Sequence, residues 1–271
     1  MKKLDKYGSW AMVAGAAEGL GEAFCIQLAE QGKNLIIIDN QVEKLEALSE
    51  RLQKEYHIDT EVVGKDLTDP LVITNVVKRA KHHGCRLWFY IAAYGPVKPF
   101  LDYSVKELET TLILNANGPL MLAHSFVDLW LDKEPAGFMI MSSLSGLRGT
   151  KLVVPYAATK AFDWNLIEGL HHEYKGSNLD FITACAGPIS TPQYMATAPK
   201  NHPLKPKDRS AAYIAKKVLN SIGKKYMIIP GIENQIGETI LSKLLPKGTA
   251  SKIVNLIMGA IYRDKLRSDE E

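Results

Sequence analysis

The sequence has few cysteines, no long apolar run and almost no net charge, and each shortage removes a class of protein. Cys25, Cys85 and Cys185 are odd in number, lie far apart and form no CxxC pair. Neither a disulfide framework nor a zinc site is expected, and a reducing, cytoplasmic setting fits best. The longest strongly apolar run, 253–262, is about half of what a membrane-crossing helix needs. The lysines after Met1 lead into no apolar stretch before Gly8, so no cleaved signal peptide and no integral membrane segment is expected. Basic and acidic residues nearly cancel, 33 against 30, for a formal charge of +3 without a dominant basic block. Nucleic acid is therefore not an expected partner. His82, His83, His171 and His172 stand in adjacent pairs, and neighbours on a helix do not face each other, so they read as solvated and no metal is expected. Internal repeats and low-complexity tracts are also lacking.

What the chain does have is apolar residues, 46% of 271 positions, enough to bury one large core. Short runs rich in β-branched and aromatic residues, at 10–14, 34–39, 60–64, 87–92, 137–142, 180–186 and 226–229, alternate with longer segments of helical period. Those segments lie at 20–31, 42–56, 70–83, 104–131, 155–174 and 208–222. This alternation predicts βαβ units in an α/β, doubly wound fold, with a seven-stranded, mostly parallel sheet and helices on both faces. Continuous apolar strands such as Leu35-Ile36-Ile37-Ile38 are what a sheet covered on both sides requires. No linker interrupts the chain, so 1–271 reads as a single domain, with 231–271 as a helical C-terminal extension.

Between the first strand and the first helix lies Ala14-Gly15-Ala16-Ala17-Glu18-Gly19-Leu20-Gly21. Its glycines let backbone approach a phosphate, and free amides at the helix start favour an anion there. The second strand ends at Asp39, 18 residues beyond Gly21, where a carboxylate can take both adenosine ribose hydroxyls and repel a 2′-phosphate. Neither Asn40 nor Glu18 is the cation that such a phosphate wants, so NAD is favoured and NADP is possible but less so.

Ser143 is followed thirteen residues later by Tyr156 and four further on by Lys160, and this spacing resembles the short-chain dehydrogenase/reductase family. Gly15, Gly19 and Gly21 match its cofactor loop, so that Ala17 and Leu20 fall within it. The resemblance spans about 10–229 and implies a Rossmann-type NAD(P)-binding domain and an oxidoreductase of ketones and secondary alcohols. It implies that Asp66, beside Leu67, holds the adenine, that Ala92 faces the cofactor, and that Gly187, Ile189 and Thr191 lie along the nicotinamide. It also implies that Asn115 is a fourth catalytic residue holding a water that links Lys160 to solvent. Homodimers or homotetramers, built through 104–131 and 155–174, are a further implication.

The chemistry also follows from the residues. Tyr156 and Lys160, four apart on a helix, share one face. A free tyrosine titrates at about pH 10, but an adjacent ammonium and an oxidised nicotinamide favour its phenolate, so Tyr156 can exchange a proton with an alcohol. Ser143 would hydrogen-bond the substrate oxygen, and Lys160 would bind the nicotinamide ribose. The chain departs from the family at Ile91-Ala92-Ala93-Tyr94-Gly95, where two asparagines are usual, with Ala14 in place of a threonine, and at Ala186.

Substrate selection is expected from 96–103, 144–154 and 191–207, the last a lid around an apolar pocket for a medium-sized ketone or secondary alcohol, with His202 not catalytic. Two amphipathic segments, 233–245 and 249–262, need something to cover: the domain's own sheet, a second subunit or a membrane surface. Two other readings compete with the oxidoreductase: a non-catalytic dinucleotide sensor acting through a protein partner, and hydride chemistry serving an isomerase or dehydratase.

Overall fold

The computed structural model describes residues 4–198 and 207–262. Its main sheet contains β1 (Trp10–Ala14), β2 (Asn34–Asp39), β3 (Thr60–Gly64), β4 (Leu87–Tyr90), β5 (Ala136–Ser143) and β6 (Leu179–Ala186). A separate pair, β7 (Ile189–Ser190) and β8 (Arg209–Ser210), precedes the last strand of the main sheet, β9 (Met227–Ile228). The order is β3-β2-β1-β4-β5-β6-β9, and every neighbouring pair is parallel. The crossovers are α1 (Gly19–Ala29), α2 (Val42–Tyr56), α3 (Pro70–His82), α4 (Val105–Leu112), α5 (Gly118–Trp130), α6 (Val154–Glu173) and, after a short α7 (Pro192–Thr197), α8 (Ala211–Leu219). The chain then adds α9 (Ile232–Thr239) and α10 (Lys247–Ile261).

Alternate side chains of each strand point to opposite faces, so one strand feeds two cores. Leu35 and Ile37 of β2 join Phe24 and Leu28 of α1 and Ile214 and Val218 of α8 on one face. Ile36 and Ile38 face the other way, in the core that also contains Val76 of α3, Phe126 of α5 and Ile167 of α6. Both faces are thus closed, and polar chemistry is confined to the strand ends. Between β1 and β4 the strand order reverses, which opens a crevice at their carboxyl ends.

Two elements differ from the expected bounds for identifiable reasons. The fourth strand stops at Tyr90, because the Ile91 and Ala92 amides both converge on the Ala14 carbonyl, at 2.8 and 2.9 Å, as the chain peels away. The helix expected at 104–131 is interrupted by a π turn, Ile113–Asn117. Pro119 has no N–H to return to the Asn115 carbonyl, so the ordinary helical ladder cannot run through that point. Leu112, Leu120, Met121 and Phe162 remain exposed along α4, α5 and α6, the helices for which contacts between copies were expected. Among the described residues no helix is long and apolar enough to cross a membrane.

Candidate active site

A cleft of about 1200 Å³ runs along the carboxyl ends of the strands. Gly15, Glu18, Gly19, Leu20, Gly21, Asp39, Asn40, Asp66, Leu67, Ala92, Ser143, Tyr156, Lys160, Gly187, Ile189 and Thr191 all line it. Of the residues singled out in the sequence, Ala17 and Asn115 stand behind its wall.

At one end the first turn folds tightly against its own helix. A Cβ on Gly21 would overlap the Gly15 carbonyl oxygen, so only glycine lets α1 start this close to the loop. Ala17 contributes through its backbone: its amide donates to Asp39 Oδ2 at 3.1 Å, and the Gln41 amide donates to Oδ1 at the same distance. The Asp39 carboxylate is thereby held at the edge of the cleft with a lone pair free on each oxygen. These features fit an adenosine diphosphate moiety: a helix start for the pyrophosphate and an oriented acceptor for the ribose. Sequence reasoning missed Lys44, which lines the same corner and donates to Glu18 Oε2 at 2.6 Å and to Gln41 Oε1 at 2.7 Å. Its partner lies 26 residues away, and only the fold brings the two together.

At the other end, Ser143 Oγ accepts from the Ser145 amide and hydroxyl, at 3.2 and 2.9 Å, which leaves its own proton to donate into the cleft. The Tyr156 ring lies on Gly95, where a Cβ would overlap Cδ2 of the ring. Lys160 Nζ sits 5.7 Å from the centroid of that ring and donates to Met141 O and Asp163 Oδ2, each at 2.8 Å. Asn115 is fully buried: its Oδ1 accepts from the Tyr94 amide at 2.8 Å, and its Nδ2 donates to Tyr94 O at 2.7 Å and Thr159 Oγ1 at 3.2 Å. It ties the chain leaving β4 to the helix carrying Tyr156. Tyr94 lines the cleft, but its hydroxyl donates to Glu107. Burial and that carboxylate raise its pKa, so it is a neutral wall rather than a second acid.

The C-terminal segments cover this end with part of their apolar surface, an occupant that the three alternatives read from the sequence did not include. Leu241, Val254, Ile257, Met258 and Ile261 line the cleft, while Ile232, Ile236, Ile240, Leu244 and Leu256 are exposed. The cover is strapped to the loop that follows Ser143. Arg148 donates to both Glu238 oxygens, the second contact at 2.9 Å. Asn255 accepts from the Lys151 amide at 2.8 Å and donates to Gly149 O at 2.9 Å. Val97, Leu144, Val153, Pro192 and Tyr194 complete the walls from the three loops expected to select substrate. His202 lies outside the described residues. His83 is half-buried, stacked on Trp10 and bonded to Glu61, rather than solvated.

The fold agrees with what is found among known proteins. A family profile described as short chain dehydrogenase matches residues 9–202, and the chain belongs to that family. It is an oxidoreductase of CH–OH and C=O groups. It is 26% identical over 235 residues to a 7beta-hydroxysteroid dehydrogenase of Clostridium sardiniense, covering 85% of this chain and 88% of that one. A very-long-chain 3-oxoacyl-CoA reductase-like protein of Arabidopsis thaliana is 33% identical over 191 residues, 66% of this chain and 59% of the relative. In fold it resembles a solved structure from work on 7beta-hydroxysteroid dehydrogenase stereoselectivity, at TM-score 0.82 and 22% identity over 94% of this chain and 99% of that one.

Proposed function

We propose that the protein moves a hydride between NAD(H) and a bulky, largely apolar ketone or secondary alcohol, with Tyr156 exchanging the proton on substrate oxygen. The observation that carries this is the meeting of Ser143, Tyr156 and Lys160 at the end of a nucleotide-shaped cleft roofed by the apolar side of α10. Bound NAD would supply the hydride acceptor, and NADH the donor. Gly15, Gly19 and Gly21 would hold its pyrophosphate; Asp39 and Asp66 would hold the adenosine, and Ile189 and Thr191 the nicotinamide end. Lys160 stabilises negative charge on the Tyr156 oxygen, and Ser143, whose proton is free, donates to the substrate oxygen as charge develops there.

NAD is favoured because Asp39 is oriented toward a ribose and Lys44, one of two lysines lining that corner with Lys65, is already held by Glu18. The substrate's size follows from the roof. Five aliphatic or thioether side chains from the C-terminal segments suit a rigid polycyclic or long-chain skeleton, and Arg148, neutralised by Glu238, offers no anchor for a carboxylate. The hydroxysteroid and oxoacyl substrates named for the relatives are of that kind.

Tyr156→Phe tests the reading with a steroid ketone as substrate. Positioned acid–base catalysis contributes on the order of 100- to 10,000-fold, so turnover should fall within that range while NADH binding is retained. Unchanged turnover in the variant overturns the proposal. Cofactor binding without turnover in the wild type, on any ketone or alcohol, favours the sensor reading instead.

A further inference from the structure

Asp163 lies one turn beyond Lys160 on α6, and the hydride-transfer scheme makes no use of it. Its side chain is fully buried; Oδ2 accepts from Lys160 Nζ at 2.8 Å, while Oδ1 has no hydrogen-bond partner. A buried, half-satisfied carboxylate is an expensive way to fill space, because an apolar side chain of similar volume avoids the desolvation cost. What distinguishes Asp163 from such a filler is the charge it places on the lysine.

An ammonium has three protons. Lys160 gives one to Met141 O and one to Asp163, which leaves a single donor for the cleft that the residue lines. Lys160 is itself only 2% exposed. Burial alone pulls such a lysine toward its neutral form; the charge of Asp163, assisted by Tyr156 and by the hydrogen bond from Lys160, more than reverses this and raises its pKa. Burial pushes Asp163 up to about 6 against the pull of Lys160, so both partners are charged above that pH.

Apart from Tyr156, whose charge changes as it exchanges its proton, no titratable group around the pair supplies a lasting counter-charge. Tyr156 shares the helix; from β4 comes Tyr90, raised by burial and by Asp163 and Asp66, with its hydroxyl on Leu114 O. From β6 comes Cys185, pushed up to about 12 chiefly by burial, with smaller upward pushes from Glu238 of α9 and from Asp163. Both Tyr90 and Cys185 are neutral in the working range, which leaves Asp163 as the carboxylate in contact with Lys160 whatever the protonation of Tyr156.

We propose that Asp163 is a positioning residue that keeps Lys160 cationic and fixed toward the cleft under the alkaline conditions that favour alcohol oxidation, and so sustains proton transfer at Tyr156. The inference rests on the proposed role of Tyr156. It gives the two directions of the reaction different dependence on one residue. Ketone reduction in mild acid proceeds with Lys160 protonated whether or not Asp163 is present. Alcohol oxidation in alkali needs Asp163 to hold that proton.

Asp163→Asn is the variant to make, because it keeps the shape and one acceptor and removes the charge. Oxidation should fall at least ~30-fold at about pH 9.5, reduction at most ~3-fold at about pH 6, and the alkaline limb of the oxidation profile should move to lower pH. A profile parallel to that of the wild type, at full or uniformly reduced activity, assigns Asp163 to structure and overturns the proposal. Should the variant not fold, the wild type decides. Its Lys160 side-chain carbon resonance, assigned with Lys160→Arg and followed by NMR with and without NADH, should report a charged ammonium past the usual lysine midpoint of about pH 10.4. Loss of the proton below that midpoint overturns the proposal. The NMR titration needs no turnover, so it stands even where Tyr156→Phe shows the hydride-transfer reading to be wrong.

Discussion

The two ends of the cleft are built on opposite principles. The nucleotide end comes mostly from one stretch of chain, β1 through β2, joined by Asp66 after β3, and its decisive contacts involve backbone: the α1 start against the Gly15 carbonyl, and two amides on Asp39. The substrate end is assembled from segments far apart in sequence and tied by side chains, Arg148 to Glu238 across 90 positions and Asn255 to Gly149 across 106. Backbone packing has two states, intact or broken, whereas side-chain straps can be loosened by degrees. The turn at the first end therefore has no room for added bulk at Gly21, and the second end is where selectivity can be adjusted without loss of the fold.

The harshest way to break the comparison is at Gly21. In Gly21→Val the added carbons have nowhere to go but into the Gly15 carbonyl, and overpacking of this kind costs about 1–3 kcal/mol even where the chain yields. The yielding part is the phosphate loop itself. We expect a lower thermal midpoint and NADH affinity weakened on the order of 100-fold, equivalent to about 3 kcal/mol. Retention of wild-type NADH affinity in calorimetry would show that the tight turn is not what binds the pyrophosphate.

At the substrate end the largest single effect belongs to the strap. Arg148 and Glu238 are largely shielded, with side chains 11% and 16% exposed, so removing one charge strands the other. In Glu238→Gln we expect KM for a neutral polycyclic ketone to rise about tenfold, with NADH affinity unchanged. The double change Arg148→Met, Glu238→Leu leaves no stranded charge and should recover most of that loss. Equal KM values in all three proteins would mean that the cover does not depend on this pair.

The same contrast explains what could be read from the sequence. The strands at 10–14, 34–39 and 60–64 coincide with β1 to β3, because apolar period and turn residues are local signals. Gly15, Gly21 and Asp39 were legible for the same reason. The break between α4 and α5 is marked in the sequence by Pro119 alone, inside an apolar periodicity that runs on through it. Lys44 and Arg148 owe their roles to partners brought near only by folding, and α10 owes its role to the path of the chain over the cleft. Asp163 is the intermediate case: its three-residue spacing from Lys160 is local, but its burial is a property of the tertiary structure.

The mildest perturbation lies where the two styles of construction meet, at the adenosine corner. There a side-chain pair, Glu18 and Lys44, sits beside the backbone-held Asp39, and Lys44 is more than half exposed. An ion pair of this kind is worth about 0.2–1 kcal/mol, so its loss barely affects stability. In Glu18→Gln the ammonium keeps only neutral partners such as the Gln41 amide oxygen and a negative charge is removed from the corner, both of which favour a 2′-phosphate. Asp39 stays in place and continues to oppose it. NADPH affinity should therefore rise by no more than about fivefold, with NADH affinity unchanged, and the gain should shrink at high salt, where exposed charges are screened. Equal gains for both nucleotides would show that the change opens the cleft rather than freeing a cation. No gain for NADPH would mean that Asp39 alone sets the preference, and that the corner belongs wholly to the rigid, backbone-built end of the site.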